Sequence, residues 1–160
     1  MTIKVGDRMP SGVFGVMTDK GPGKMSSDEL FAGKKVVLVS VPGAFTPTCS
    51  LNHLPGFVKH ADQIMKKDVD TIACMAVNDV FVMNAWGKDR KVEDKVKMLA
   101  DGNGEYTRAL GLEMDGSGFG LGMRGQRFAM VVDDGVVKHL AVEAPGQFEV
   151  SKAEAILESL

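Results

Sequence analysis

The sequence predicts an α/β fold in one domain, residues 1–160: a central mixed β-sheet flanked by helices, with an N-terminal β-hairpin extension. Three observations predict it. An apolar, β-branched run, Val36 to Val41, precedes a long segment with Leu54, Phe57, Val58, Ala61, Ile64 and Met65 on one helical face, and a second apolar run, Asp70 to Val77, follows. Strand, helix and strand in that order form a right-handed crossover, so the two strands should be parallel. Arg127 to Val132 and Val136 to Val142 then flank Asp133-Asp134-Gly135, a short-hairpin pattern that adds antiparallel pairing.

Each element has its own signal. Residues 1 to 35 are rich in Gly and Pro, with Ser11 to Thr18 the best strand, and read as a hairpin or meander laid on the main sheet. Ser26-Ser27-Asp28-Glu29 supplies capping residues for a short helical turn. The first strand of the crossover is Lys35 to Val41, and its helix runs from about Cys49 to Lys67. Val80 to Lys88 reads as a helix, Val96 to Ala100 as a short strand, and Glu105 to Leu110 as a helical turn ended by Gly111. Gly111 to Gly125 carries six of the 19 glycines and reads as a loop. It contains a formal GxGxxG, Gly120 to Gly125, but a strand follows rather than a helix, so a dinucleotide fingerprint is discarded. Ser151 to Leu160 closes the chain as a helix, with Ser151 as N-cap and Glu154 completing a capping box.

Composition excludes several classes. A chain of 160 residues can bury one independent core. A net charge of -2 gives no reason to expect nucleic acid or an anionic membrane as partner. No run approaches the ~18 apolar residues of a membrane span, and the first residues have neither signal-peptide nor transit-peptide character. With two cysteines there is no disulfide scaffold, so a reducing compartment is expected: the cytoplasm, or an organelle if a targeting peptide has been removed. His53 and His60 lack further ligands at metal-like spacing and are read as a structural residue near the active loop and a surface residue. No metal or cofactor is expected, and no Gly-x-Ser-x-Gly elbow supports serine catalysis.

The chemistry concentrates in Val41-Pro42-Gly43-Ala44-Phe45-Thr46-Pro47-Thr48-Cys49. Cys49 falls where a strand-to-helix loop meets a helix N-terminus. There, unpaired N–H groups and the positive end of the helix dipole favour an anion, so the nucleophilic thiolate should be stabilised. Pro42 and Pro47 stiffen the loop and hold Thr46 and Cys49 in a set relation.

Pro42 to Ser50 resembles the active-site motif of peroxiredoxins, and His53-Leu54-Pro55-Gly56-Phe57 is similar to the type II branch, the peroxiredoxin-5 subfamily. The likeness continues through Val77 to Met83, Trp86 to Asp89, Asp101 to Glu105 and Arg127 to Val137, nearly the whole chain. It implies a thioredoxin-like fold and a thiol peroxidase that reduces hydrogen peroxide and alkyl hydroperoxides. Cys49 is then the peroxidatic nucleophile. Thr46 would accept from a backbone N–H or the thiol and donate to a peroxide oxygen. Arg127, which matches the family's arginine directly before the Phe-Ala-Met strand, would favour the thiolate and the developing oxyanion. Pro42, Gly43, Phe45, Thr48 and Phe119 are candidate pocket residues, Pro42 shielding the sulfur. Phe45 and Phe119 are expected first as core packing and only second as an apolar mouth.

Recycling the oxidised sulfur needs a second thiol. Cys74 sits inside a strand, roughly 10 Å back from the catalytic edge at about 3.3 Å per residue, beyond the ~7 Å a disulfide allows, and is expected to be structural. Type II relatives with a resolving cysteine carry it near the C-terminus, where this chain has Val150, Ser151 and Lys152. The resemblance therefore implies an external reductant, glutathione with glutaredoxin or thioredoxin, and it also implies a homodimer. A redox sensor, in which Cys49 oxidation switches dimerisation or partner binding with little turnover, is the alternative. A disulfide reductase is disfavoured because the active loop has no second cysteine.

Overall fold

A computed structural model describes residues 2–160. The main sheet has seven strands in the order β2-β1-β5-β4-β3-β8-β9. In chain order these are β1 (Val13–Thr18), β2 (Gly21–Ser26), β3 (Lys35–Ser40), β4 (Thr71–Ala76), β5 (Lys97–Ala100), β8 (Phe128–Asp133) and β9 (Val136–Val142). A separate ribbon pairs β6 (Glu113–Asp115) with β7 (Met123–Gly125). The helices are α1 (Ser27–Phe31), α2 (Leu54–Lys59), α3 (Ala61–Met65), α4 (Val80–Asp89), α5 (Glu105–Leu110) and α6 (Ala153–Ser159).

The central strands are apolar on both faces because both faces are covered. Val37, Val39, Ile72, Cys74, Ala129 and Val131 point to one side, where Leu54 and Phe57 of α2, Ile64 of α3, Met83 and Trp86 of α4 and Ile156 of α6 pack. Val36, Leu38, Ala73, Met75, Phe128 and Met130 point to the other, against Phe31 of α1 and Tyr106 and Leu110 of α5. The β3–β4 pairing is parallel, as the crossover requires, with Val39 opposite Cys74. Between β8 and β9 the turn residues Asp134 and Gly135 both have positive φ, 48° and 80°, the conformation that matches the twist of a two-residue hairpin.

Four expectations are corrected. The N-terminal hairpin does not lie on the sheet but extends its edge, β1 joining β5 at Gly15 and Ala100. The Gly-rich segment is not all loop, since β6 and β7 pair across it around a 3-10 turn, Ser117–Phe119. The single helix from Cys49 to Lys67 is three pieces: a π-helical turn, Cys49–His53, then α2 and α3, with His60 between them at φ -98°, ψ 8°. Ser151 is not an N-cap. Helix α6 is preceded by Lys152 without a side-chain cap, and the Ser151 hydroxyl donates instead to Glu143 Oε2 at 2.6 Å.

Candidate active site

Antiparallel pairing of β3 and β8 ends at Ser40 and Phe128, so the residue leaving β3 toward the loop lies beside Arg127, which enters β8. Side chains alternate along a strand, so Arg127 shares a face with Ala129 and Val131, the face on which the Cys49 turn packs. The sheet thus brings Arg127 to Cys49, although 78 residues separate them. Arg127 Nη2 donates to Cys49 Sγ at 3.1 Å, and Cys49 is fully buried.

The loop between Val41 and Cys49 is pinned by Asn78 and by Arg124. Ala44 N–H donates to Asn78 Oδ1 at 2.9 Å, and Arg124 donates to the carbonyls of Pro42, Val77 and Leu121. Arg124 therefore serves the scaffold, while Arg127 reaches the sulfur. Gly43 is packed so closely that a Cβ there would stand 3.1 Å from Arg124 Nη1 and 3.3 Å from Thr46 Cγ2. Thr46 Oγ1 donates to the Gly43 carbonyl at 2.7 Å. Its one proton is thereby engaged, so the oxygen is set to accept rather than to donate as the sequence suggested. The first helical bond, Ser50 N–H to the Thr46 carbonyl at 2.8 Å, places Cys49 in the opening turn.

That turn is π-helical for a reason visible in the sequence. The Leu54 N–H bonds to the Cys49 carbonyl, and Pro55 has no N–H to offer the Ser50 carbonyl. Arg90 Nη1 takes that place, donating to Ser50 O at 3.0 Å, and Trp86 Nε1 donates to Ser50 Oγ at 2.8 Å. Helix α4 and its cap thus hold Ser50, the residue next to Cys49.

Behind Arg127 runs a chain of buried polar contacts. Arg127 Nη1 donates to His53 Nδ1 at 2.9 Å, and His53 Nε2 lies 3.0 Å from the Ser151 carbonyl. Arginine only donates and a carbonyl only accepts, which assigns the ring proton to Nε2. Burial, then the Arg127 charge, pushes the His53 pKa down to about 3, so the ring is neutral. Glu143 Oε2 receives the Ser151 N–H, the Ser151 hydroxyl and the Glu149 N–H, at 2.8, 2.6 and 2.8 Å. Burial works to raise that carboxyl, but these bonds prevail and hold it below the usual range. His53, Ser151 and Glu143 were not read from sequence as parts of one array.

Pro42, Thr48 and Arg127 open onto a cavity of about 380 Å³, whose other walls include Glu113, Met114 and Pro145. Phe45 and Phe119 do not line it, and neither is core: they are 51% and 89% exposed. Phe45 sits at φ +65° in the tight loop, its ring 6.5 Å from that of Trp86, and Phe119 projects from the 3-10 turn. Cys74 is buried and free, and burial, with the Cys49 charge, pushes its thiol far above the usual range. Among the described residues, no helix is long and apolar enough to cross a membrane.

A family model described as Redoxin matches residues 4–157. Peroxiredoxin-2B of Arabidopsis thaliana is 49% identical over 159 residues, covering 99% of this chain and 98% of that protein. The chloroplastic peroxiredoxin-2E of the same plant is 48% identical, over 99% of this chain and 70% of its own length. Among solved structures, reduced Prx3 of Vibrio vulnificus in complex with hydrogen peroxide superposes with a TM-score of 0.95 at 54% identity, over 99% of each chain. With a buried cysteine under an arginine at the end of a mixed sheet, and likeness along its whole length, the chain belongs to the redoxin family and within it to the type II peroxiredoxins, thiol-dependent peroxidases of thioredoxin-like fold.

Proposed function

We propose that Cys49 is the peroxidatic nucleophile of this thiol peroxidase, with Thr46 and Arg127 holding the peroxide and hydrogen peroxide and small alkyl hydroperoxides as substrates. The observation that carries the reading is the 3.1 Å contact of Arg127 Nη2 with Cys49 Sγ in a water-poor setting. A sulfur lone pair of the thiolate attacks one peroxide oxygen in line, and the O–O bond breaks. The departing alkoxide or hydroxide leaves with the bonding pair and takes a proton to become alcohol or water, while Cys49 becomes a sulfenic acid. Arg127 stabilises the charge that develops on the oxygens, as a preorganised cation in a low-dielectric site does. Thr46 Oγ1 accepts the peroxide O–H, which aims the substrate without giving up the bond to Gly43. Pro42 and Thr48, at the edge of the 380 Å³ cavity, limit water and leave room for an alkyl substituent.

An external thiol then displaces water from the sulfenic acid to give a mixed disulfide, and a second thiol releases Cys49 as thiolate with formation of the reductant's disulfide. Glutathione with glutaredoxin is the reductant we favour, with thioredoxin next. Cys74 is inert in this cycle: it is buried on β4, its thiol is held protonated, and the two cysteines are unlinked. A homodimer and a reducing compartment, the cytoplasm first, complete the proposal. Leu51, exposed in the turn that begins at Cys49, supports the dimer, and two free cysteines support the compartment.

The test is steady-state peroxide consumption by the wild type and Cys49→Ser, with glutathione plus glutaredoxin and with thioredoxin plus its reductase. Loss of turnover in Cys49→Ser is expected, and unchanged turnover would end the proposal. Stoichiometric oxidation of the wild type without turnover under any reductant would favour a sensor instead.

A further inference from the structure

We infer that His53 is a positioning residue of the peroxide chemistry: through Nδ1 it fixes the Arg127 guanidinium over Cys49, and the segment Glu143 to Ser151 fixes His53 in turn. The inference rests on the reading of Arg127 given above and adds what makes that arginine effective. A guanidinium is a rigid plane, so holding Nη1 at 2.9 Å from His53 Nδ1 sets where Nη2 points, and Nη2 is the atom at 3.1 Å from the sulfur. Arginine's long stem has no such constraint of its own. A misplacement of about 1 Å at a reacting group can cost on the order of 100-fold in rate.

His53 can accept at Nδ1 only when neutral, with its proton on Nε2. Burial and the Arg127 charge keep the proton count at one, and the Ser151 carbonyl keeps that proton on Nε2. The carbonyl is itself held. Glu143 receives both donors of Ser151 and the Glu149 N–H on one oxygen, which are charge-assisted bonds. Between these anchors, Phe148 packs edge-on to the His53 ring at 5.1 Å and lies 5.9 Å from the Arg127 guanidinium carbon. This segment, a strap of residues 143–151, therefore touches both members of the pair.

A packing role for His53 between Phe57 and Phe148 gives different results. Asparagine places a carbonyl oxygen near the site of Nδ1 and keeps the acceptor, leucine fills space without one, and glutamine reaches toward Ser151 but offers nothing at Nδ1. The experiment measures the second-order rate of Cys49 oxidation by hydrogen peroxide in wild type, His53→Asn, His53→Leu, His53→Gln and Arg127→Gln. Each rate is divided by the rate of alkylation by iodoacetamide, which needs the sulfur but not the arginine's aim, and Tm is recorded for each variant. On this account the ratio falls about 100-fold in His53→Leu and His53→Gln and is largely restored in His53→Asn. The glutamine variant carries the test if the leucine variant does not fold. If the ratio stays at the wild-type level in the leucine and glutamine variants, or if asparagine falls as far as leucine, while Arg127→Gln loses rate, the positioning role is overturned and the reading of Arg127 stands. An undiminished ratio in Arg127→Gln would overturn both.

Discussion

Acidification from pH 8 to pH 4.5 should cost the folded chain roughly 3 kcal/mol through His53 alone. In the folded state the ring takes a proton only near pH 3, against 6.5 for a free histidine, because it is buried and faces Arg127. The unfolded chain therefore binds a proton there that the native chain does not, throughout the interval between those two values. Stability must rise with pH across that interval and fall as pH drops below 6.5, by about 1.4 kcal/mol per unit. At pH 4.5 the native ring is still neutral, so two units of unfolded-state protonation set the loss, and that is a large share of the ~5–15 kcal/mol typical of a domain. Glu143 acts in the same direction at lower pH: its depressed carboxyl contributes stability above its ordinary value and loses it as pH falls through the folded one. The measurement therefore stops at pH 4.5. Urea unfolding followed by Trp86 fluorescence at pH 8, 6.5, 5.5 and 4.5 gives the slope, and His53→Asn, which has no group to titrate, should flatten it. If the asparagine variant loses as much stability as wild type between pH 6.5 and 4.5, the buried neutral ring is not the cause and the reasoning fails.

Three further outcomes are expected. Arg127→Gln should slow oxidation of Cys49 by hydrogen peroxide about 10²–10³-fold in stopped-flow fluorescence, the usual cost of losing one oxyanion donor, and a rate within the wild-type range would remove the arginine from the mechanism. Ser50→Ala leaves the buried Trp86 N–H without its acceptor, so urea unfolding should show a loss of about 1–3 kcal/mol; no loss would mean that the bond between α4 and the π-helical turn contributes nothing. Cys74→Ala should keep wild-type turnover with an external thiol, and a collapse of turnover would give that cysteine a redox role.

Much of this arrangement was legible in the sequence because it follows from local pattern. The β3–helix–β4 crossover was readable from two apolar runs around an amphipathic stretch, and the β8–β9 hairpin from Asp133-Asp134-Gly135. The closeness of Cys49 and Arg127 came from the resemblance, and the β3–β8 register supplies its physical cause. What was not legible depends on partners distant in sequence. Ser151 and Glu154 have the spacing of a capping box, but Glu143, from the end of β9, captures the Ser151 hydroxyl and N–H first. His53 is a lone histidine until β8 brings Arg127 to one ring nitrogen and the strap brings a carbonyl to the other. Strands β6 and β7 are three residues each, too short for alternation to show among glycines. Phe45 and Phe119 look like core by residue type alone, yet a left-handed φ in one case and a projecting 3-10 turn in the other carry them outward. The π-helical turn did leave a trace: Pro55, inside an otherwise helical pattern, removes the donor that Arg90 replaces.

The most direct test is to add hydrogen peroxide to the reduced protein in the presence of a sulfenic-acid trap such as dimedone and to map the adduct by mass spectrometry. The expected result is one adduct per chain, on Cys49, replaced by a glutathione mixed disulfide on the same residue when glutathione is supplied in place of the trap. An adduct on Cys74 with Cys49 untouched, or a Cys49–Cys74 disulfide in the folded protein, would contradict the account.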